Sequence, residues 1–415
     1  MGSVTELCRR AAEVAPEVAR LPGTIRERAL HGMAEALLDS AASLAEANAK
    51  DLQSAREAGT SSTLIDRLTL TDRRITSMAD GLRAVAAQPD PVGAVLEGWK
   101  RPNGLLIEKV TAPLGVVAVI YEARPNVTSD VAGLCLKSGN ACVLRGSRIA
   151  LSSNIAIIDV LRSAAVDAGA PADAVQLVRD VERESALELM RATGLVDLLV
   201  PRGGADLIRT IEENATVPYI IDGDGNCHVY VDRSADLEMA TEIIVNAKVQ
   251  RPSVCNAAET LLVHAELADK WLPAALDALA ARGVTVHGDS RTVALWPDAR
   301  QATDADWATE YLGLILAVRV VDSLDEAIGH INHFGTSNAE AIVTRDVEAA
   351  RRFSTEIDSG TIFVNASTRF SDGGEFGYGA EIGISTQKLH ARGPMGLRAL
   401  TAAKYVVWGD GQIRT

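Results

Sequence analysis

The chain has 415 residues, of which 47% are hydrophobic and 23% are charged, and its formal net charge is −14. Since a single core stops growing near ~250–300 residues, this length predicts a globular protein of two or more domains. The acidic balance argues against a broad nucleic-acid or anionic-membrane surface, so neither nucleic acid nor membrane is an expected partner. An anionic substrate would therefore need a local basic pocket.

Cysteine and histidine usage narrows the chemistry further. The five cysteines are widely spaced and form no CxxC pair, which predicts neither disulfides nor a zinc site and favours the reducing cytoplasm. The histidines form no HxxxH or HExxH pattern, so no metal site is expected. Charged residues precede any apolar run at the N-terminus, which argues against a signal peptide. The apolar stretch 114–121 falls far short of the ~20 residues of a membrane helix.

The first part of the chain predicts helices and then a ribbon. Residues 4–57 and 62–87 have helical spacing and predict a helical layer. Residues 95–110 predict two strands around the turn at Asn103–Gly104. Because such a ribbon is marginal alone, we expect it to pair with another element or another subunit. Residues 405–408 are a candidate last strand that could join it.

From Pro113 onwards, short apolar runs alternate with helical segments in two successive stretches. This predicts two α/β domains with parallel sheets, whose ligands bind at the carboxyl ends of the strands. The first set of strands is expected at 115–120, 141–144, 174–177, 196–200 and 219–221, with helices at 126–138, 152–168, 183–192 and 204–214. The second set is expected at 228–231, 260–263, 314–320, 340–343 and 361–364, with helices at 236–249, 266–281, 323–333 and 346–356. The glycine-rich stretch 365–396 predicts a long functional or disordered loop.

Cys255 is a candidate nucleophile. It lies on a connection between a predicted helix end and a buried strand, with Lys248 and Arg251 just before it. Nearby cations lower the pKa of a thiol towards the reactive thiolate. The alternative is that this lone cysteine, in an alanine-rich context, is a small core residue.

Two glycine turns and one asparagine follow predicted strands of the first sheet. Arg145–Gly146–Ser147 and Arg202–Gly203–Gly204 would let a phosphate approach the backbone N–H groups of a helix N-terminus. Together they favour a nucleotide site, although glycine turns of this kind are common. Asn126 could donate its side-chain amide to an oxyanion, or it could cap the next helix.

Four segments of the chain resemble the γ-glutamyl phosphate reductases (glutamate-5-semialdehyde dehydrogenases), a family of the aldehyde dehydrogenase superfamily. They read NAKVQRPSVCNAAETLLVH, YEARPNVTSD, GNCHVYVD and EFGYGAEIGISTQKLHARGPMGL. The resemblance covers essentially the whole chain. It implies an α/β fold with two Rossmann-like α/β domains and a β-ribbon oligomerisation element. The implied parts are 1–95, 112–226 and 366–399 for cofactor binding, 227–365 for catalysis, and 96–111 with 400–415 for oligomerisation.

This resemblance implies NADPH-dependent reduction of L-glutamyl 5-phosphate to glutamate 5-semialdehyde and phosphate, the second step from glutamate to proline. Cys255 matches the family's nucleophile, Asn126 its oxyanion asparagine, and Glu310 the glutamate that holds the nicotinamide ribose. The cofactor-binding turns are implied to include Arg145, Gly146, Arg148, Arg202, Gly203 and Gly204. Lys248 and Arg251 flank Cys255, and we expect them to bind the anionic groups of the substrate. A cytoplasmic homo-oligomer with functional coupling to glutamate 5-kinase is the further expectation.

Some residues depart from the family pattern. Ile149 replaces a usual glutamate, and Arg148 introduces a cation that would suit the 2′-phosphate of NADPH. Asn338 and Ala339 replace a usual histidine and a hydroxyl residue. The nearest alternative function is a hydrolytic NAD(P)-dependent semialdehyde dehydrogenase on the same fold, with Asp222 near the position of its base, although Asp222 is equally well interpreted as a turn residue. The alternative from another class is a non-catalytic binding or structural protein on this fold.

Overall fold

The computed structural model describes residues 3–221 and 223–414. Asp222, the candidate base of the hydrolytic alternative, lies outside the described residues. The described α-helices are α1 (Val4–Val18), α2 (Gly23–Asp39), α3 (Ala41–Glu57), α4 (Ser62–Leu68), α5 (Asp72–Ala86), α6 (Asn126–Lys137), α7 (Leu151–Asp167), α8 (Arg183–Met190), α9 (Ala205–Asn214), α10 (Leu237–Val249), α11 (Ala265–Ala280), α12 (Ser290–Leu295), α13 (Leu324–Phe334) and α14 (Val347–Glu356).

The described strands run along the same chain between these helices. They are β1 (Val95–Lys100), β2 (Leu106–Pro113), β3 (Val116–Tyr121), β4 (Ala141–Arg145), β5 (Val175–Leu177), β6 (Leu198–Arg202), β7 (Cys227–Val231), β8 (Ala258–His264), β9 (Thr285–Gly288), β10 (Arg300–Gln301), β11 (Ile315–Val321), β12 (Ala339–Val343), β13 (Thr361–Val364), β14 (Ile384–Ser385), β15 (Gly393–Pro394) and β16 (Thr401–Trp408). The predicted alternation of strands and helices is confirmed in both stretches of the chain.

The chain divides into two compact units. Unit 1 comprises Met1–Ile221, Gly377–Gly383 and Met395–Thr415, and unit 2 comprises Asp222–Phe376 and Ile384–Pro394. The assignment of particular ranges to cofactor binding, catalysis and oligomerisation stays a prediction.

Unit 1 contains a parallel sheet with the strand order β5-β4-β3-β6. All six residues of β3, a run rich in valine and isoleucine, are buried, as expected for a parallel strand that is covered on both faces. Helix α1 packs on this sheet, and α2 packs against α5, α6 and α7. The predicted helical layer at the start of the chain is therefore confirmed.

Helix α7 and the turn before it are unusually apolar. Residues 148–167 are the one stretch of the described chain that is helical, long and apolar enough to cross a membrane by length and composition alone. The helix packs against α2 and α3, and Ile157, Ile158 and Leu161 are fully buried. This packing is that of a core helix.

The ribbon of unit 1 is a three-stranded antiparallel sheet with the order β1-β2-β16. Its hairpin turns at Asn103–Gly104, where Gly104 has a φ of +93°, a conformation that glycine adopts without steric cost. β16 pairs with β2 along its whole length, from Thr401 to Trp408. Both the hairpin and the last strand were predicted, and both are confirmed.

Unit 2 contains a seven-stranded parallel sheet with the order β10-β9-β11-β8-β7-β12-β13. Helices α10 and α11 cover one face, where Val229 and Val231 of β7 are buried. Helices α13 and α14 cover the other face, where Tyr230 is buried. This alternation along β7 follows from the two-residue period of a strand.

Three predictions of the fold need correction. The strand expected at 219–221 is only an isolated bridge between Leu199 and Tyr219. The next hydrogen bond of this parallel pairing would need an N–H from residue 201, which is Pro201 and has none. The segment 284–301 was not assigned, although it forms β9, α12 and β10. The glycine-rich stretch 365–396 is an irregular loop for most of its length, but β14 and β15 pair within it.

Candidate active site

Cys255 lies in the loop that joins α10 to β8. The loop covers residues 250–257, and Cys255 is half-buried and forms no disulfide. A Cβ atom on Gly225 would lie 1.7 Å from the carbonyl oxygen of Cys255, so only glycine fits at that position. The thiol of Cys227 donates to the same carbonyl oxygen, with 3.2 Å between sulfur and oxygen. The backbone of the candidate nucleophile is therefore fixed by two neighbours.

Cys227 and Cys255 differ in environment. Cys227 is fully buried, and burial raises its pKa well above the ordinary value for a thiol, with the charge of Glu340 acting in the same direction. A thiol with a raised pKa stays protonated and serves as a hydrogen-bond donor. Of these two cysteines, only Cys255 has the partial exposure that a nucleophile requires.

Glu310 is linked to Cys255 through the backbone of Gly225. Its Oε1 accepts a hydrogen bond of 2.8 Å from the N–H of Gly225. Gly225 thus contacts both the predicted nucleophile and the residue that the resemblance assigns to the nicotinamide ribose. The sequence alone did not predict this link, because Gly225, Cys255 and Glu310 are distant from one another along the chain.

Lys248 and Glu259 form an ion pair in which both side chains are fully buried. The other carboxylate oxygen of Glu259 accepts from the N–H of Leu312 at 3.2 Å. Leu312 has a φ of +52°, which is uncommon for a residue other than glycine. Burial lowers the pKa of Lys248 and raises the pKa of Glu259 to about 7. The pair therefore holds the loop 310–313, which carries Glu310.

Two arginines of unit 2 lie close to Cys255 or to the loop that carries it, one within the loop and one beside it. Arg251 lies within the loop and is exposed. Arg369, which the sequence analysis did not single out, lies in the short 3-10 helix Thr368–Phe370, and its Nε donates to Oε1 of Gln250 at 2.8 Å. The only sequence signal for Arg369 was its place in the polar stretch after β13.

In unit 1, Asn126 is the first residue of α6 and its side chain is exposed. Its Nδ2 donates to Oδ2 of Asp130, one turn further along the helix, at 2.9 Å. Burial raises the pKa of Asp130 to about 6, against the lowering effect of the hydrogen bond from Asn126. Since an amide group has two N–H donors, Asp130 orients the side chain while the second N–H stays available for another acceptor.

The first predicted cofactor turn lies at the end of β4. The guanidinium of Arg145 donates to the carbonyl oxygens of Val181 and Glu182, at 2.8 and 3.0 Å, and burial lowers its pKa. Arg148 pairs with Glu182 at the surface. A Cβ atom on Gly146 would lie 2.1 Å from Nδ2 of Asn154, so the glycine allows close packing here. Arg145 thus holds the neighbouring loop, whereas Arg148 is exposed.

The second predicted cofactor turn lies at the end of β6, where Arg202 is followed by two glycines. The N–H of Gly204 donates to Oε2 of Glu122 at 3.3 Å, and a Cβ atom on Gly203 would lie 2.8 Å from the carboxyl carbon of Glu122. Gly204 precedes α9 without a side-chain cap, and a Cβ atom there would meet nothing within 4 Å. An open, uncapped helix N-terminus after a glycine turn fits the pyrophosphate of a nicotinamide dinucleotide.

The predicted residues therefore divide between the two units. Unit 2 holds Cys255, Lys248, Arg251 and Glu310, and the contacts described above join three of them to one another through Gly225, Glu259 and the loop 310–313. Unit 1 holds Asn126 and the predicted cofactor turns, with Arg145, Gly146, Arg148, Arg202, Gly203 and Gly204.

Comparisons with known proteins agree over the whole chain. The model of the aldehyde dehydrogenase family matches residues 2–295 and 298–406. The chain is 56% identical over 405 residues to a gamma-glutamyl phosphate reductase of Moorella thermoacetica, a match that covers 98% of this chain and 97% of that protein. It is 55% identical over 411 residues to a protein of the same name from Thermobifida fusca, covering 99% and 98%.

Solved structures give the same result. The crystal structure of a gamma-glutamyl phosphate reductase from Thermotoga maritima matches with a TM-score of 0.96 and 44% identity, over 100% of both chains. An engineered glycolyl-CoA reductase with bound NADP+ matches with a TM-score of 0.71 and 17% identity, over 98% of this chain and 96% of that one. The second likeness shows a shared fold.

Proposed function

Because the chain belongs to the γ-glutamyl phosphate reductases of the aldehyde dehydrogenase family, we propose that it reduces L-glutamyl 5-phosphate to glutamate 5-semialdehyde and phosphate. The protein is an oxidoreductase of proline biosynthesis that acts on a small molecule with a nicotinamide cofactor, which we propose to be NADPH. The observation that carries the proposal is the half-buried thiol of Cys255, whose backbone Gly225 and Cys227 hold in place.

The reaction begins at Cys255. Its thiolate attacks the carbonyl carbon of the acyl phosphate, so that an S–C bond forms, the C–O bond breaks, and phosphate leaves with the electron pair. The nicotinamide cofactor supplies the hydride that reduces the resulting thioester. Asn126 and the backbone N–H of Cys255 stabilise the negative charge on the carbonyl oxygen in this proposal. The oxygen then re-forms its double bond to carbon while the S–C bond breaks, which releases the aldehyde and restores the thiolate of Cys255.

Chain residues that would hold the cofactor follow from the two glycine turns. The open N-terminus of α9, with Gly203 and Gly204, suits the pyrophosphate. Arg148 is exposed and suits a ribose 2′-phosphate, which is the basis for preferring NADPH. The family resemblance assigns Glu310 to the nicotinamide ribose. The remaining predicted residues, Arg145, Gly146 and Arg202, shape the same turns.

The two cations near Cys255 receive different parts in this proposal. The ammonium group of Lys248 is buried against Glu259, so Lys248 positions the loop 310–313 and does not meet the substrate. Arg251 is exposed and suits an anionic group of the substrate. This separates two residues that the sequence analysis had treated alike.

Assembly and partners are also proposals. The ribbon β1-β2-β16 exposes Trp99, Tyr405 and Val407, and exposed apolar edge strands favour pairing with a second copy of the chain. We therefore propose a homo-oligomer built through the ribbon, and a cytoplasmic location. Because an acyl phosphate hydrolyses readily, functional coupling to the glutamate 5-kinase that makes it would protect the substrate.

The test uses both directions of the reaction. We expect the protein to oxidise NADPH with freshly generated glutamyl phosphate, and to reduce NADP+ with glutamate 5-semialdehyde at a rate that rises saturably with phosphate. Cys255→Ala should abolish both activities, while Cys8→Ala, at a buried cysteine of unit 1, serves as the control. Rapid semialdehyde oxidation in phosphate-free buffer would instead favour the hydrolytic alternative.

A further inference from the structure

Arg369 and Arg251 are two cations of unit 2 that lie on or beside the Cys255 loop. Neither guanidinium has an ion pair with any residue in the described ranges 3–221 and 223–414. Arg251 is exposed within the Cys255 loop, and Arg369 is half-buried beside that loop. Half-buried guanidinium groups are commonly paired, because burial removes part of their hydration. An external anion is the partner that would complete this arrangement.

Three hydrogen bonds join the segment around Arg369 to the Cys255 loop. The Nε of Arg369 donates to Gln250 at 2.8 Å. The hydroxyl of Thr368 donates to the carbonyl oxygen of Asn256 at 2.7 Å, and Nδ2 of Asn256 donates to the carbonyl oxygen of Ser371 at 2.9 Å. Gln250 and Asn256 lie on either side of Cys255 in sequence. The position of the Arg369 backbone is thus fixed relative to the loop that carries the nucleophile.

The charges around Arg369 also favour the binding of an anion. Burial lowers the pKa of Arg369, and the positive charge of Arg251 lowers it further, whereas negative charge on Asp372, Cys255 or Cys227 raises it. Asp372 contributes negative charge near Arg369, and its Oδ1 accepts from the backbone N–H of Gly374 at 2.8 Å. Two guanidinium groups therefore repel each other beside the thiol of Cys255, and a bound dianion would relieve that repulsion.

We propose that Arg369, together with Arg251, binds the phosphate group of the acyl phosphate and, in the reverse reaction, inorganic phosphate. This inference rests on the proposed function. The phosphate is bonded to the carbon that Cys255 attacks, so its binding group must lie on the segments around the thiol. Arginine suits the task because its planar fork can make two parallel hydrogen bonds to phosphate oxygens.

The test measures semialdehyde oxidation at varied phosphate concentration. Arg369→Gln should raise the KM for phosphate about 10-fold or more, the scale of one lost charge-assisted contact, and leave the KM values for semialdehyde and NADP+ within about 3-fold. Arg369→Lys keeps the charge but loses the planar guanidinium, so its KM for phosphate should lie between those of the unaltered protein and Arg369→Gln. Arg351→Gln removes the charge of an exposed arginine elsewhere in unit 2 and is the control.

A second pair of measurements separates binding from structure. Gln250→Ala removes the hydrogen bond to Arg369 but keeps the guanidinium, so it should change the KM for phosphate far less than Arg369→Gln does. Inorganic phosphate should also slow the alkylation of Cys255 by iodoacetamide in the unaltered protein and in Arg351→Gln, and lose this effect in Arg369→Gln. Melting temperatures of all variants report whether each one folds.

The outcomes distinguish this inference from the proposed function. If the unaltered protein oxidises the semialdehyde without any need for phosphate, the proposed function fails. If oxidation depends on phosphate but Arg369→Gln and Arg369→Lys leave both the KM for phosphate and the protection unchanged, only the inference is overturned. A selective rise in the KM for semialdehyde, or equal effects of Gln250→Ala and Arg369→Gln, would also overturn it.

Discussion

Lys248 and Glu259 form an ion pair in which neither side chain is exposed to solvent. The second oxygen of Glu259 holds the N–H of Leu312, in the loop that carries Glu310. A pair of this kind adds little net stability when it is intact, but removal of one partner leaves an uncompensated charge in the interior. A substitution of Lys248 or Glu259 should therefore disturb the loop 310–313, although neither residue belongs to that loop.

The first prediction concerns this pair. Lys248→Met should lower the free energy of unfolding by about 3–5 kcal/mol, because it leaves the carboxylate of Glu259 buried without a compensating cation. The double variant Lys248→Met/Glu259→Gln should recover part of the loss, since the charge is gone and the amide oxygen can still accept from Leu312. Urea denaturation measures both variants. Equal stability of Lys248→Met and the unaltered protein would contradict the prediction.

The second prediction concerns pH. Burial raises the pKa of Glu259 from 4.5 to about 7, so between these values the folded chain binds a proton that the unfolded chain releases. This contribution to stability is fully present below pH 4.5 and is lost as the pH rises to about 7. Glu259→Gln removes it. The free energy of unfolding should therefore fall less steeply with pH in Glu259→Gln than in the unaltered protein, as measured by urea denaturation across this range.

The third prediction concerns Asn126 and Asp130. Asn126→Ala should lower kcat about 10²–10³-fold, the usual effect of removing one oxyanion donor, with little change in the KM for NADPH. Asp130→Ala keeps the amide but removes the acceptor that orients it, so its effect on kcat should be smaller. Steady-state kinetics separates the two effects. A larger loss in Asp130→Ala than in Asn126→Ala would assign the main part to Asp130.

The fourth prediction concerns the choice of cofactor. Arg148 pairs with Glu182 at the surface, where both side chains are largely exposed, and such a pair is easily exchanged for a better anion. Arg148→Glu should reduce the preference for NADPH over NADH, as measured by the ratio of the two kcat/KM values. Glu182→Ala should preserve or increase that ratio, because it releases Arg148 from its partner. If Arg148→Glu leaves the ratio unchanged, another residue reads the 2′-phosphate.

The fifth prediction concerns assembly. Trp99 and Val407 both lie opposite Ile107 in the ribbon, on one face of its three strands. Val407→Lys places a charge on this exposed apolar face, so it should reduce the oligomer mass seen by light scattering. Val347→Lys, at an exposed valine of unit 2, is the control. A protein that is monomeric at micromolar concentration before any substitution would exclude the proposed oligomer.

Patterns that depend on local sequence were sufficient for most of the fold. The buried β3 and the turn at Gly104 both follow from residue types that lie next to one another in the chain. The apolar pattern at 219–221 is that of a strand, but the prediction of a strand there was wrong because Pro201 of the neighbouring strand cannot donate the next hydrogen bond. The segment 284–301 mixes polar residues with short apolar runs, so neither a helical nor a strand period stands out.

Residues of the site were harder to predict where their roles depend on contacts between distant parts of the chain. The resemblance pointed to Cys255 and Glu310, but the close approach of Gly225 to both is a property of the folded chain. Lys248 looked like a cation beside the thiol, and only the structure pairs it with Glu259. Arg369 follows β13 in a polar stretch, and nothing near it in the sequence links it to Cys255.

The glycine at 225 limits how this enzyme can be re-engineered. Its backbone N–H holds Glu310, and its Cα leaves no room for a methyl group against the carbonyl of Cys255. A larger residue there would displace both Cys255, the proposed nucleophile, and Glu310, whose carboxylate is proposed to hold the ribose. In a library that randomises this region for new substrates, position 225 should therefore be kept as glycine. Changes in specificity are more accessible at Arg251 and Arg369, whose side chains can be replaced without moving that shared backbone.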